Sequence, residues 1–384
     1  MPRRPSPTLA NAVAPGVRVE RIEPLQRRIE RNRLRFAGFM TLFTVSVASS
    51  FAVLATLVFL VVGYLALRDT ELFWRSSGPE LGRLIALVAA GSFGVGFALA
   101  WVWALVQLGR SETVLVQRLG ARMPAGGTLL PTKSALRDIA IAAGLAKPPR
   151  LYVIDTPKVN AFVLGRSPDR ARIGVTRGML EKVGIDEQRA VFANLVARIL
   201  SRDTLWATAV SAIMGPIWAM RDHDLRYEPA RHAAESGTSE QGTPTEDDWR
   251  GAVLVIYGLL VIVTEVFAHF HQEAAWRANE KADAEGMMLL KDPRSMLRAI
   301  EQVLERDNHV PSAGDAYSQL FYCWAGFGFA PEDDPEMRRV ARLRETLGAE
   351  GVPYVPRPNV PGWPAAPPPP RIELAEEVRS DDAR

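Results

Sequence analysis

Histidine and cysteine are scarce in this sequence, and the spacing of the histidines suits a metal ion poorly. His269, His271 and Glu273 lie together near the end of an apolar stretch, with Glu265 a turn upstream. On a helix, residues two apart point to nearly opposite sides, so His269 and His271 cannot share one ion. His269 could share one with Glu265 or with Glu273, each four residues away. A zinc site takes at least three protein ligands, and no third is evident in the pattern. The plainer reading makes His269 and His271 interfacial or helix-end residues. His223, His232 and His309 stand alone. Cys323 is the only cysteine, which excludes an intramolecular disulfide and a thiolate metal cluster. Its solitude agrees with a cytoplasmic domain.

The elements around these residues begin in a membrane. The chain has 384 residues, 48% of them hydrophobic. Two stretches, Phe36 to Leu67 and Leu84 to Gly109, contain no charged residue at all. Roughly 20 apolar residues suffice for a helix to cross a bilayer, so both are expected to span it. The first is too long, and begins too late, for a cleaved signal peptide. Residues 1–35 carry nine Arg against three Glu, whereas the loop between the spans is balanced. Positive flanks stay inside, which predicts a cytoplasmic N-terminus and a cytoplasmic main domain. The net charge of +3 then reflects topology and contact with anionic lipid, and no motif points to nucleic acid. Trp74, Trp101 and Trp103, at span ends, suit an aromatic belt.

Four regions follow: a basic segment over 1–35, the two spans over 36–109, a folded domain over 110–350, and a Pro-rich tail over 351–384. Val19 to Arg35 reads as a basic amphipathic helix lying on the membrane. Thr132 to Gly144 reads as a helix stopped by its glycine. Arg150 to Ile154, Ala161 to Leu164 and Ala171 to Thr176 read as strands, the last two joined as a hairpin. Thr176 to Val183 starts another helix, and Asp186 is expected to cap the next, which runs through Arg202. Two shorter apolar runs, within 204–220 and 251–270, are either short spans or a helical pair dipping into the membrane. Ala274 to Arg306 is expected to be helical with a break at Asp292-Pro293, and Glu336 to Leu347 helical again.

Several stretches resemble one known family. They are Ala140-Ile141-Ala142-Ala143-Gly144-Leu145, then Pro149-Arg150-Leu151-Tyr152-Val153-Ile154; Asn160-Ala161-Phe162 with Gly165; Val175-Thr176-Arg177-Gly178-Met179-Leu180; and Arg339 to Arg344. In this order and spacing, from about Gly120 to Leu347, they resemble the membrane-embedded zinc metallopeptidases of the HtpX type, relatives of the CAAX prenyl proteases. The resemblance implies an α+β, mainly helical fold. Two N-terminal transmembrane helices would precede a zincin-like metallopeptidase domain with a small edge hairpin and two further short apolar helices.

The resemblance also implies a helical His-Glu-x-x-His, in which two histidines at i and i+4 hold zinc and the glutamate acts as general base. In the matching segment Asn194 and Arg198 replace the histidines, and Leu195 replaces the glutamate. The family's third ligand is a glutamate four residues before an aspartate. Here Asn279 stands at the ligand position and Asp283 at the aspartate. Glu280 is one residue late, about 100° around the helix. Asp334-Pro335 falls where the family has a His-Pro element. Asparagine is a poor zinc ligand, arginine offers no lone pair and repels a dication, and leucine takes no proton.

These replacements predict a catalytically inactive relative that requires no zinc. It would bind membrane proteins, extended peptides or an active peptidase relative, as a scaffold or regulator. Asp203 and Asp283 would support the vestigial site, with the Arg198 cation standing in for the metal and holding Asp283 or another nearby carboxylate. The strand Asn160, Ala161, Phe162, Val163 and Leu164 would receive a peptide by strand addition, or else form an ordinary core hairpin. The alternative is an active membrane zinc endopeptidase in protein quality control, with ligands drawn from Glu280, His269 or Glu273.

Overall fold

A computed structural model describes residues 25–67, 79–125, 127–218, 275–290, 292, 294–313, 317–323 and 335–348. The expectations for His223, His232, Glu265, His269, His271, Glu273, the 251–270 run and the Pro-rich tail lie outside these residues.

Two long helices open the described chain, α1 (Leu25–Leu67) and α2 (Pro79–Arg118). Both are long and apolar enough to cross a membrane. At 43 and 40 residues each is about 60 Å long, roughly twice a bilayer's hydrocarbon thickness. They pack closely where Gly96 meets Ala48 and Phe51, since a Cβ at Gly96 would lie 2.8 Å from that of Phe51. Small residues permit such approach between membrane helices. Elsewhere Val62, Leu65, Leu99 and Val102 face outward, exposed.

The basic helix expected to lie on the membrane differs in the structure. Residues 25–35 run straight into the apolar stretch as part of α1. No Gly or Pro interrupts Leu25 to Arg35, and Leu, Gln, Arg and Glu favour helix. Arg28 and Asn32, four apart on one face, are buried against the folded domain.

That domain is built on a four-stranded sheet of β1 (Ala121–Arg122), β2 (Arg150–Ile154), β3 (Ala161–Leu164) and β4 (Arg172–Thr176), in the order β1-β2-β4-β3. β2 runs parallel to β4, while β3 and β1 are antiparallel to their neighbours. The hairpin expected from the turn chemistry of Gly165 to Asp169 is present. Phe162 pairs with Gly174, and its ring fills the space that a Cβ at 174 would take. Phe162 is fully buried, so its truncation to Ala should cost about 3–5 kcal/mol.

Helix α3 (Leu130–Ala142) precedes β2 and buries Ala135, Leu136, Ile139 and Ala140. Helix α4 (Arg177–Lys182) follows β4, with Thr176 capping it by accepting the Met179 amide. Next comes α5 (Ile185–Leu200), buried at every residue from Ala190 to Ile199, and therefore central rather than amphipathic. Asp186 does not cap it. The helix starts at Ile185, with Gly184 at the cap, leaving Asp186 in the first turn. It also ends before Arg202, which takes a left-handed conformation at φ 63° and starts α6 (Asp203–Ile213). α6, which makes up most of the described part of the first short apolar run, is packed against α1 and α2. It is buried from Ala207 to Ile213. Helix α7 (275–289), α8 (Arg294–Leu304) and α9 (Pro335–Thr346) complete the described domain.

Candidate functional site

Helices α5 and α7 meet across Gly286. A Cβ there would come within 3.0 Å of the Asn194 amide nitrogen, so only glycine lets the two backbones approach this closely. The crossing brings Asn194 of α5 against Asn279 and Asp283 of α7. Asn194 Nδ2 donates to Asp283 Oδ1 at 2.7 Å and reaches the Asn279 carbonyl at 3.4 Å. All three residues are buried. The positions singled out in the sequence are thus assembled, although their side chains are not a metal's ligands.

Arg198 lies one turn further along α5 and is 2% exposed. Its guanidinium does not hold Asp283, as the sequence suggested. It points instead at the backbone of residues 319–321. Nη2 donates to the Gln319 carbonyl at 2.7 Å, and Nη1 to those of Phe321 at 3.1 Å and Leu320 at 3.4 Å. Burial pushes its pKa down to about 10, against the pull of Asp203. The group therefore remains a cation at neutral pH. Leu195, at the general-base position, is wholly buried in the apolar core.

Asp283 is held by Arg339 of α9 through Nε at 2.8 Å and Nη2 at 2.9 Å. Arg339 also pairs with Glu336, donates to the Tyr322 carbonyl at 2.7 Å and stacks on the Tyr322 ring at 4.9 Å. Burial alone would lower the pKa of Arg339, but Asp283 and Glu336 outweigh it and hold the group well above its ordinary value. Burial, with Asp283 nearby, pushes the Tyr322 phenol up. Sequence reasoning noted Arg339 only as part of a terminal motif and gave Glu336 no role. The signal was available: Glu336, Arg339, Val340 and Leu343 recur at helical spacing, which puts the two charged residues on the face of the two apolar ones, and all four are buried.

Glu280 does not replace the missing ligand. It pairs with Arg342 of α9 at 2.9 Å. Asp203 supports the site differently from the expectation. Asn32 Nδ2 donates to its Oδ1 at 2.6 Å and Ser201 Oγ to its Oδ2 at 2.5 Å, while Arg28 lies 3.6 Å away and also pairs with Glu285. Asp203 thereby fastens the extramembrane turns of α1 to the α5–α6 corner. In the sequence Arg28 counts only as part of the basic flank, and Asn32 carries no signal of its own.

The edge of β3 is not open. Tyr322 donates its amide to the Ala161 carbonyl at 2.7 Å, and Phe162 and Phe321 form an antiparallel bridge. Asn160 Nδ2 donates to the Cys323 carbonyl at 2.9 Å, and its Oδ1 accepts from the Cys323 amide at 3.3 Å. Residues 160–164 are all buried. Of the two readings of Asn160, Ala161, Phe162, Val163 and Leu164, a peptide-accepting edge or a core hairpin, the strand is a buried hairpin strand whose outer edge is occupied by the chain's own residues 321–323.

This donor set does not fit a zinc ion. Asn194 Oδ1 and Asn279 Oδ1 are buried without a hydrogen-bond partner, but two neutral amide oxygens beside a guanidinium cannot replace two imidazoles and a carboxylate. Among the described residues no three His, Cys, Asp or Glu side chains converge as a metal site.

A two-helix membrane region, a small sheet with an antiparallel edge strand, and two facing helices carrying Asn194, Arg198 and Asn279 define a membrane metallopeptidase scaffold. The model of peptidase family M48 matches residues 132–347, more than half of the chain, and the chain belongs to that family. It is similar to curated proteins named "Protease HtpX homolog". It shares 28% identity with one from Caldanaerobacter subterraneus subsp. tengcongensis, over 55% of this chain and 69% of the relative. With one from Aquifex aeolicus the identity is 27%, over 71% and 88% respectively. With one from Acidiphilium cryptum it is 29%, over 67% and 77%. No solved structure matches the chain.

Proposed function

We propose that this chain is a non-hydrolytic member of its peptidase family, anchored in a bacterial inner membrane with its folded domain on the cytoplasmic side. It would act by binding rather than cleaving. The observation that carries this reading is the Arg198 side chain: a buried cation at a zinc-ligand position, bonded to three backbone carbonyls. Zinc hydrolysis needs a Lewis acid holding a water and a base to take its proton. Arg198 offers no lone pair, and the Leu195 side chain accepts no proton. The basic flank at residues 1–35 supports the orientation. The partners that suit a membrane-anchored domain of this family are membrane proteins, extended peptides or an active relative.

The full-length protein, purified in detergent and supplied with zinc, is incubated with an unfolded membrane-protein substrate beside an active relative. This reading expects no cleavage above a protein-free blank. Turnover that a zinc chelator abolishes would replace it with the alternative, an active endopeptidase whose ligands come from elsewhere in the chain.

A further inference from the structure

The segment 317–323 is tied to α2, α5, α6, α9 and the start of β3. Arg118, at the end of α2, donates to the Tyr317 hydroxyl at 2.9 Å. Gln319 Nε2 donates to Ser211 Oγ of α6 at 2.5 Å. Arg198 of α5 gathers three successive carbonyls, Arg339 of α9 takes the fourth, and Asn160 clasps Cys323 through both sides of its amide. The Phe321 ring packs on Phe162 with centroids 5.6 Å apart. Residues 317–323 are all buried.

The Phe321–Tyr322 stretch lies antiparallel on β3, the outermost strand of the sheet. An extended peptide joining a sheet by strand addition makes these same contacts: main-chain hydrogen bonds to the edge, with side chains entering alternate pockets. We propose that residues 319–323 are the resident ligand of this edge, locked there by Arg198, and that the edge accepts an extended aromatic-apolar peptide only when that lock is removed. The proposal deepens the binding role given above and rests on it, because it makes the strand edge a closed surface in the native chain.

The physical case lies in the carbonyls. Guanidinium is planar and presents its donors as a fork, so one group can serve adjacent backbone oxygens. Hydrogen bonds from a charged donor are about twice as strong as neutral ones. A free peptide would have to displace all of them together with the Tyr322–Ala161 bond. The resident also indicates which peptide fits: an aromatic side chain against Phe162, followed by one beneath Arg339, as Phe321 and Tyr322 are placed.

The test uses full-length protein in detergent and a fluorescent peptide copying residues 317–324, with serine replacing Cys323. Peptide binding is read by anisotropy, and protection of the Tyr322 amide by hydrogen exchange. Wild type should show a protected amide and no saturable binding. Arg198→Ala should expose the amide and bind the peptide saturably, with half-saturation at least about ten-fold below the highest concentration at which wild type shows none. Should Arg198→Ala not fold, Gln319→Ala, which frees the segment from α6 alone, should speed exchange at Tyr322 by about ten-fold. Saturable binding by wild type, free exchange of its Tyr322 amide, or a folded, exposed Arg198→Ala that still rejects the peptide would each overturn the proposal. So would unchanged exchange in Gln319→Ala. Zinc content and cleavage do not enter these outcomes, so the closed edge can fail while the non-hydrolytic reading stands.

Discussion

Arg339 grips Asp283 with two nitrogens, at 2.8 and 2.9 Å, in an interior where the two side chains are 1% and 4% exposed. Asn194 adds a third hydrogen bond to the same carboxylate. This ion pair joins α9 to α7 at the place where the family resemblance implies a metal, and it makes the site a structural crosslink.

Removing one member of a buried pair leaves the other uncompensated, which costs about 3–5 kcal/mol. Asp283→Ala should therefore lower unfolding stability by that amount in detergent. Asn279→Leu, which deletes a buried oxygen that has no partner, should change stability by less than about 1 kcal/mol. Chemical denaturation of both variants checks the contrast. Equal effects would show that Asp283 carries no special load.

Arg198→Ala strips donors from the carbonyls of residues 319–321, and each buried carbonyl left unsatisfied costs about 1–3 kcal/mol. Relief from burying a cation offsets part of this. The expected net loss is about 2–4 kcal/mol in a denaturation curve, and unchanged stability would count against Arg198 as a replacement crosslink.

Asn32 and Arg28 dock α1 on the domain through Asp203 and Glu285. Asn32→Ala should leave the apolar part of α1 intact while loosening its first turns. Faster proteolysis between Leu25 and Arg35, with an unchanged core, is the expected result. Unchanged cleavage would show that the network does not restrain α1.

The sequence was most readable where one local rule dominates. Strands β2 and β3 fell at their expected residues because β-branched and aromatic residues are bracketed by Pro148-Pro149 and Gly165. Asn194, Arg198 and Asn279 were singled out through the motifs around them, and the fold brings Asn194 and Asn279 together. The partners of these residues were not found. Arg198 meets residues 319–321 across more than 120 positions of sequence, and Asp283 meets Arg339 across 56. Neither periodicity nor spacing encodes such pairings. The start of α1 was misjudged for a similar reason. A basic stretch beside a span looks lipid-facing until a carboxylate in the domain claims two of its residues.

The scaffold geometry makes a further prediction. Since Gly286 still brings α7 onto α5, restoring the side chains should restore the site. The variant carrying Asn194→His, Leu195→Glu, Arg198→His and Asn279→Glu together should bind about one zinc per chain, by elemental analysis after dialysis. A folded variant that takes up no zinc would show that α5 and α7 no longer hold the metallopeptidase arrangement.

The central claim, that this chain carries no catalytic zinc, is tested most directly by the metal content of the native protein. Full-length protein purified in detergent with added zinc, then dialysed, should retain less than about a tenth of an equivalent per chain. Near one equivalent, surviving dialysis, would contradict the account and direct the search for ligands to Glu280, Asp283, His269 and His271.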